Sequence, residues 1–169
     1  SATLSAAIAR LASINRDTII VMPGTYTSEN INLFNISNKR IYVTSLFSRD
    51  TTKRNFISST IFDGATQISN GFIHNSSGGM AFGDSVTIIG LTIQNFTQSI
   101  TSGPQGLTYL KMQDCNFNNN GNSNGSLINY SLGTTEIIHC AFNNNAGTIT
   151  LSSNQNLSSI QIKQNSFIN

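Results

Sequence analysis

A right-handed parallel β-helix is the fold this sequence predicts, and its internal repeat is what predicts it. Four ten-residue segments, Val86–Asn95, Leu110–Asn119, Thr135–Asn144 and Ile160–Asn169, superimpose without gaps, at intervals of 24, 25 and 25 residues. Within each, apolar residues alternate at period two, skip two positions and alternate again, as two short strands joined by a sharp corner would require. One such turn cannot bury its own apolar face, so turns must stack, with backbone hydrogen bonds running coil to coil at about 4.8 Å.

Four columns point inward: Val86, Leu110, Thr135, Ile160; Ile88, Met112, Ile137, Ile162; Leu91, Cys115, Cys140, Asn165; and Ile93, Phe117, Phe142, Phe167. The last two columns supply the expected core stack of Ile93, Phe117, Phe142 and Phe167 with Cys115 and Cys140. The cysteines read as stacked small apolar side chains, because in-register parallel neighbours hold their Cβ atoms farther apart than the ~3.8 Å of a disulfide. Asn95, Asn119, Asn144 and Asn169 form a polar column with further asparagines beside it, a structural ladder that bonds along the axis and tolerates left-handed corners.

Residues 1–15 precede the first strand pattern and place Leu4, Ala7, Ile8 and Leu11 at helical spacing in an alanine-rich stretch. That short amphipathic helix is expected to cap the first core layer, since a solenoid end must be shielded. Residues 16–85 hold the first, irregular coils, with β-branched runs at Asp17–Met22 and Ile41–Val43 and a Pro23-Gly24 stop. Residues 86–169 hold the regular coils, and the whole reads as one elongated domain.

Only 9% of the 169 residues are charged, against 23 Asn, 23 Ser and 18 Thr, so the surface is polar but nearly uncharged. Disorder is excluded by the 38% hydrophobic content, which falls in register, and by a net charge of only +2. That small charge, with no aromatic residues interleaved among the bases, also argues against nucleic acid. No apolar run approaches the ~20 residues of a membrane span, and no cofactor or metal signature is present.

The succession Asp17-Thr-Ile-Ile-Val-Met-Pro-Gly-Thr-Tyr-Thr27, Ile41-Tyr-Val-Thr-Ser-Leu-Phe47, Ile57-Ser-Ser-Thr-Ile-Phe-Asp-Gly64 and Val86-Thr-Ile-Ile-Gly-Leu-Thr-Ile-Gln-Asn95 resembles the pectate-lyase-like right-handed β-helix superfamily. It is especially similar to the large secreted or cell-surface members from Bacteroidota-type bacteria. The resemblance implies a secreted or surface-displayed bacterial protein, of which this would be an N-terminal piece with an open last coil available to another chain or domain. It does not imply one activity, because the superfamily spans lyases, hydrolases, epimerases and adhesins.

Three groups are the candidate sites. Asp114, His139 and Gln164 share an outward corner column, where a carboxylate beside an imidazole can orient it, although a surface polar ladder is the simpler use. Lys39, Arg40, Arg49, Lys53 and Arg54 fall within one short stretch that holds a single acid, Asp50, and Arg49, Lys53 and Arg54 are the candidates for meeting an anionic glycan. Tyr109 and Tyr130, placed in loops around the third regular coil, are the candidate platforms for a neutral sugar. Lys111 and Glu136 read as an exposed cross-strand ion pair. The seven carboxylates are scattered, with no two in one column, and the lyase and hydrolase motifs of the superfamily are absent. The expectation is a non-catalytic structural or interaction module that binds polysaccharide or another surface polymer or mediates adhesion. The alternatives are a fragment of a polysaccharide lyase or glycoside hydrolase, and a fibre or matrix component that self-associates at its last coil.

Overall fold

The computed structural model describes residues 3–10, 16–27, 29–32, 40–64, 71–74, 85–98, 100–101, 109–121, 126–131, 133–152 and 159–168. Helix α1 (Leu4–Ala9) opens it, with the Thr3 hydroxyl accepting from the Ala6 amide at 3.0 Å as an N-cap. The Leu4 amide donates to Glu29 at 2.9 Å, so a carboxylate sits at the positive end of the helix. Leu4 and Ile8 are buried in the common core, as the cap reading requires. Leu11 lies outside the described residues.

The first coil contains β1 (Arg16–Val21), β2 (Gly24–Thr27) and β3 (Ile31–Asn32). The second contains β4 (Arg40–Ser45), a 3-10 turn at Leu46–Ser48, helix α2 (Asn55–Ser59), β5 (Thr60–Asp63) and β6 (Ile73–His74). The third has β7 (Ser85–Ile89), β8 (Thr92–Gln94) and β9 (Ile100–Thr101), and the fourth β10 (Tyr109–Gln113), β11 (Asn116–Asn118) and β12 (Ser126–Ser131). The fifth has β13 (Thr134–Ile138), β14 (Ala141–Asn143) and β15 (Thr148–Ser152), and the last described strands are β16 (Ile160–Lys163) and β17 (Ser166–Ile168). They assemble into sheets of six, six and five strands, ordered β1-β4-β7-β10-β13-β16, β2-β5-β8-β11-β14-β17 and β3-β6-β9-β12-β15. All pairings are parallel, and the fold is a parallel β-helix.

The register is the one the repeat predicts. Val86, Leu110, Thr135 and Ile160 pair in succession, as do Ile93, Phe117, Phe142 and Phe167. Each side chain therefore packs on its own equivalent. Phe142 lies between Phe117 (4.8 Å, 6° between planes) and Phe167 (4.9 Å, 8°), a face-to-face stack imposed by the backbone spacing. In the last described layer one face of Phe167 rests on Phe142, while 60% of the residue is exposed, beside the exposed Ile162 and Ile168. Cys115 and Cys140 are buried and unbridged, and contact with the Cys115 sulfur together with burial pushes the Cys140 thiol up.

The asparagine ladder divides into two sets. Asn95, Asn119 and Asn144 turn the corner after the second-sheet strands at φ of 59°, 53° and 50°, with exposed side chains; the left-handed region suits asparagine better than most residues. Asn169, the fourth member, lies outside the described residues. The axial bonds are made mainly one position later. Asn120, nearly completely buried, accepts from the Phe96 amide at 3.0 Å and donates to the Ile93 carbonyl at 2.8 Å, both one coil back. Asn145 repeats this on Asn120 and Phe117, and Asn165 on Cys140 and Ile137. In each case one amide group clasps an N–H and the carbonyl three residues before it, satisfying backbone that the corner removes from the sheet.

Phe142→Ala removes the middle ring of the stack and is expected to lower stability by about 3 kcal/mol or more, measured by denaturant unfolding; a loss under about 1 kcal/mol contradicts the register. Asn120→Ala leaves two buried backbone groups unpaired and is expected to cost about 2 kcal/mol in the same assay, whereas Asn119→Ala should cost less because its side chain is exposed.

Candidate functional site

The corner between the first and second sheets builds the site. At this corner Gly90, Asp114, His139 and Gln164 all adopt left-handed backbone, with φ of 68°, 52°, 53° and 52°. Their amides donate down the axis, Gly90 to the Gln113 carbonyl, Asp114 to Ile138 and His139 to Lys163, each at 3.0 Å. Successive side chains therefore stand about one strand spacing apart. Glycine, aspartate and histidine are among the residues that tolerate this conformation; the glutamine is the uncommon choice.

In the second coil the same corner is replaced by the segment 46–59. The Ser45 hydroxyl accepts from the Phe47 amide at 3.1 Å and starts the 3-10 turn, which buries Phe47 against the corner below. A Cβ at Gly90 would stand 2.8 Å from Phe47 Cβ and Cδ1, so this corner needs glycine for space as well as for its φ. Helix α2 is held down by the Thr92 hydroxyl, which donates to the Ile57 carbonyl at 2.8 Å. Arg54, at the start of α2, lies 5.8 Å over the Phe47 ring and reaches past the third coil to Asp114, 3.6 Å away.

Asp114 is the centre of this cluster. Its side chain is only 9% exposed, and it meets Arg54, His139 Nδ1 at 3.7 Å and the Gln113 side-chain Nε2, which donates at 3.1 Å. The other ring nitrogen, His139 Nε2, contacts Gln164 Oε1 on the next coil. The expected column of Asp114, His139 and Gln164 is thus present, and Arg54 joins it from two coils away. Arg49 and Lys53 are exposed on the connection. Lys53 pairs with Asp50 at 3.4 Å, and a hydrogen bond from the Thr52 hydroxyl, then its amide and Lys53, holds the Asp50 carboxyl below the usual range.

Two expectations about the adjoining sheet face are corrected. Tyr109 opens strand β10 and is half-buried; its phenol is engaged by Glu136 and is not a free platform in a loop. Burial, then the charge and hydrogen bond of Glu136, push this phenol up to about 12. Tyr130 falls within strand β12, and its side chain lies outside the described residues. Lys111 and Glu136 do pair, at 3.6 Å, but their side chains are 25% and 22% exposed, so the pair is largely enclosed.

Each of the five carboxylates whose side chains are described has named partners. Glu29 holds the Leu4 amide, Asp50 holds Thr52 and Lys53, and Asp63 accepts from Gln94 and Asn95. Asp114 and Glu136 face Arg54 and Lys111. Among the described residues no group of three or more His, Cys, Asp and Glu side chains is placed to hold a metal ion, and no helix is long and apolar enough to cross a membrane. No protein-family model matches the chain, and neither does any curated protein or solved structure.

The Tyr109 phenol gives a direct test. Raised in the folded protein above its ordinary value near 10, it favours the folded state fully below pH 10, and that contribution is lost as pH rises through 12. Ultraviolet titration should show one tyrosine ionising near pH 12, moving down in Glu136→Gln. An unmoved titration would separate Tyr109 from Glu136.

Proposed function

We propose that this chain is a non-catalytic structural and interaction module of a secreted or surface-displayed bacterial β-helix protein, which holds an anionic glycan or similar surface polymer at the 46–59 connection without cleaving it. The observation that carries the reading is the mounting of that connection. A short, strongly basic segment is fixed to a stiff rod by Phe47 on Gly90, Thr92 on Ile57 and Arg54 on Asp114. Arg49 has no ion-pair partner among the described residues, and Lys53, although paired with Asp50 at 3.4 Å, is 60% exposed, so both cations face solvent from a fixed base. Cations held in place bind a polyanion with less ordering cost than cations on a free chain. The carboxylates support the non-catalytic part, because each described one is occupied in joining structure. The repeat supports the proposed relation to the pectate-lyase-like superfamily, and with it the extracellular location.

The test is retention of the purified chain on dextran sulfate, polygalacturonate and neutral dextran, with mass spectrometry of any released oligosaccharide. Retention is expected on the two anionic polymers only, falling as salt rises, and without products. Arg49→Ala with Lys53→Ala should weaken it about tenfold, the equivalent of two surface charge contacts. Released products, or retention indifferent to both substitutions, would overturn the proposal.

A further inference from the structure

We propose that His139 makes retention of the polymer pH-dependent, the polyanion lying along the corner column from the connection over His139 towards Lys163 and being held more tightly once the imidazole is protonated. This rests on the reading of the 46–59 connection as the polymer site.

The corner column and the connection are one surface. Arg54 belongs to the connection and is tied to Asp114, which is tied to His139, whose neighbour on the next coil is Gln164 beside the exposed Lys163. His139 is the exposed member, at 45%, whereas Asp114 is 9% exposed beneath it. A polymer crossing the column therefore meets the ring rather than the carboxylate.

Both ring nitrogens of His139 face acceptors. Nδ1 faces Asp114 Oδ1 and Nε2 faces Gln164 Oε1. A neutral imidazole meets the Gln164 contact through Nε2–H, while Asp114, at 3.7 Å, makes no hydrogen bond to Nδ1 but stands on the side where a second ring proton would point. The glutamine, neutral and able to present either end of its amide, permits both states at the same corner.

The charged groups facing the ring are Asp114, Arg54, which shares the same carboxylate oxygen, and Lys163, whose carbonyl accepts from the His139 amide. With the ring neutral, Arg54 and Asp114 cancel; with the ring protonated, His139 adds one positive charge between Arg54 and Lys163. By linkage, the polyanion must then promote proton uptake by the same amount as protonation promotes binding.

The experiment measures affinity for dextran sulfate, whose charge does not change over the range, at pH 5.5 and pH 8 in constant salt. The wild-type chain is expected to bind about three- to tenfold more tightly at pH 5.5, the effect of one added surface charge. His139→Asn, which suits the left-handed corner, should bind at both values as the wild type does at pH 8. His139→Arg should bind at both values as the wild type does at pH 5.5, and thermal unfolding checks that each variant is folded. Binding without pH dependence, or pH dependence surviving in folded His139→Asn, overturns this inference and leaves the polymer site intact. Absence of binding at either pH overturns both.

Discussion

Parallel, in-register hydrogen bonding between successive coils is the constraint from which the rest of the molecule follows. It places every residue directly over its equivalent about one strand spacing away, so each position along the coil becomes a column whose members must suit one another. Apolar columns stack into the core, as Phe117, Phe142 and Phe167 do with nearly parallel rings. Tolerance has limits: Thr135 sits in an otherwise aliphatic column, and its buried hydroxyl has no hydrogen-bond partner among the described residues. Corners pose the harder problem, because a sharp turn takes backbone groups out of the ladder in a place where water does not reach all of them. Left-handed residues close the turn, and the amides of Asn120, Asn145 and Asn165 pair the groups left inside. That second device explains why a fold of this kind carries so much asparagine.

The same stacking lets a local irregularity act over distance. Segment 46–59 could not extend from the second coil along the rod unless the corner beneath were flat, and Gly90 makes it so. Phe47 then rests on the third coil and gives Arg54 a base from which to reach the fourth. His139 and Gln164 continue the contact onto later coils at intervals set by the backbone alone. A cluster whose members are more than a hundred residues apart in sequence is therefore held with the regularity of a single strand.

What the sequence made legible was whatever repeats. The inward columns, the cap helix, the corner residues and the Phe142 sandwich all follow from periodicity, which reports the constraint directly. The misreadings lie where one residue departs from its column. Asn119 and Asn120 look alike in the text, and only the handedness of the turn sends the first outward and the second inward. Tyr109 precedes the repeated segment and so reads as loop, although its backbone already pairs with Ser85 and Thr134. Arg54 gave no sign of its partner, because the non-repeating insertion carries no register from which to count. An insertion replacing a corner, opposite a glycine in the next coil, was the available signal that something folds down over that glycine.

Scarcity of charge follows from the same geometry. A charged residue in one coil has its neighbours fixed within a strand spacing, and like charges in a column repel along the whole rod. The described carboxylates accordingly stand with cations or donors, as Glu136 does with Lys111 and Asp63 with the amides of Gln94 and Asn95. Cations facing solvent also occur within the columns, at Arg40, which is in register with Arg16, and at Lys163, whereas the 46–59 segment holds its own outside them. Its exposed arginine and lysine side chains escape the stacking rule while their backbone remains anchored to the rod. On the proposed function, the hold of that segment on a polyanion should depend on salt far more than the stability of the coils beneath it.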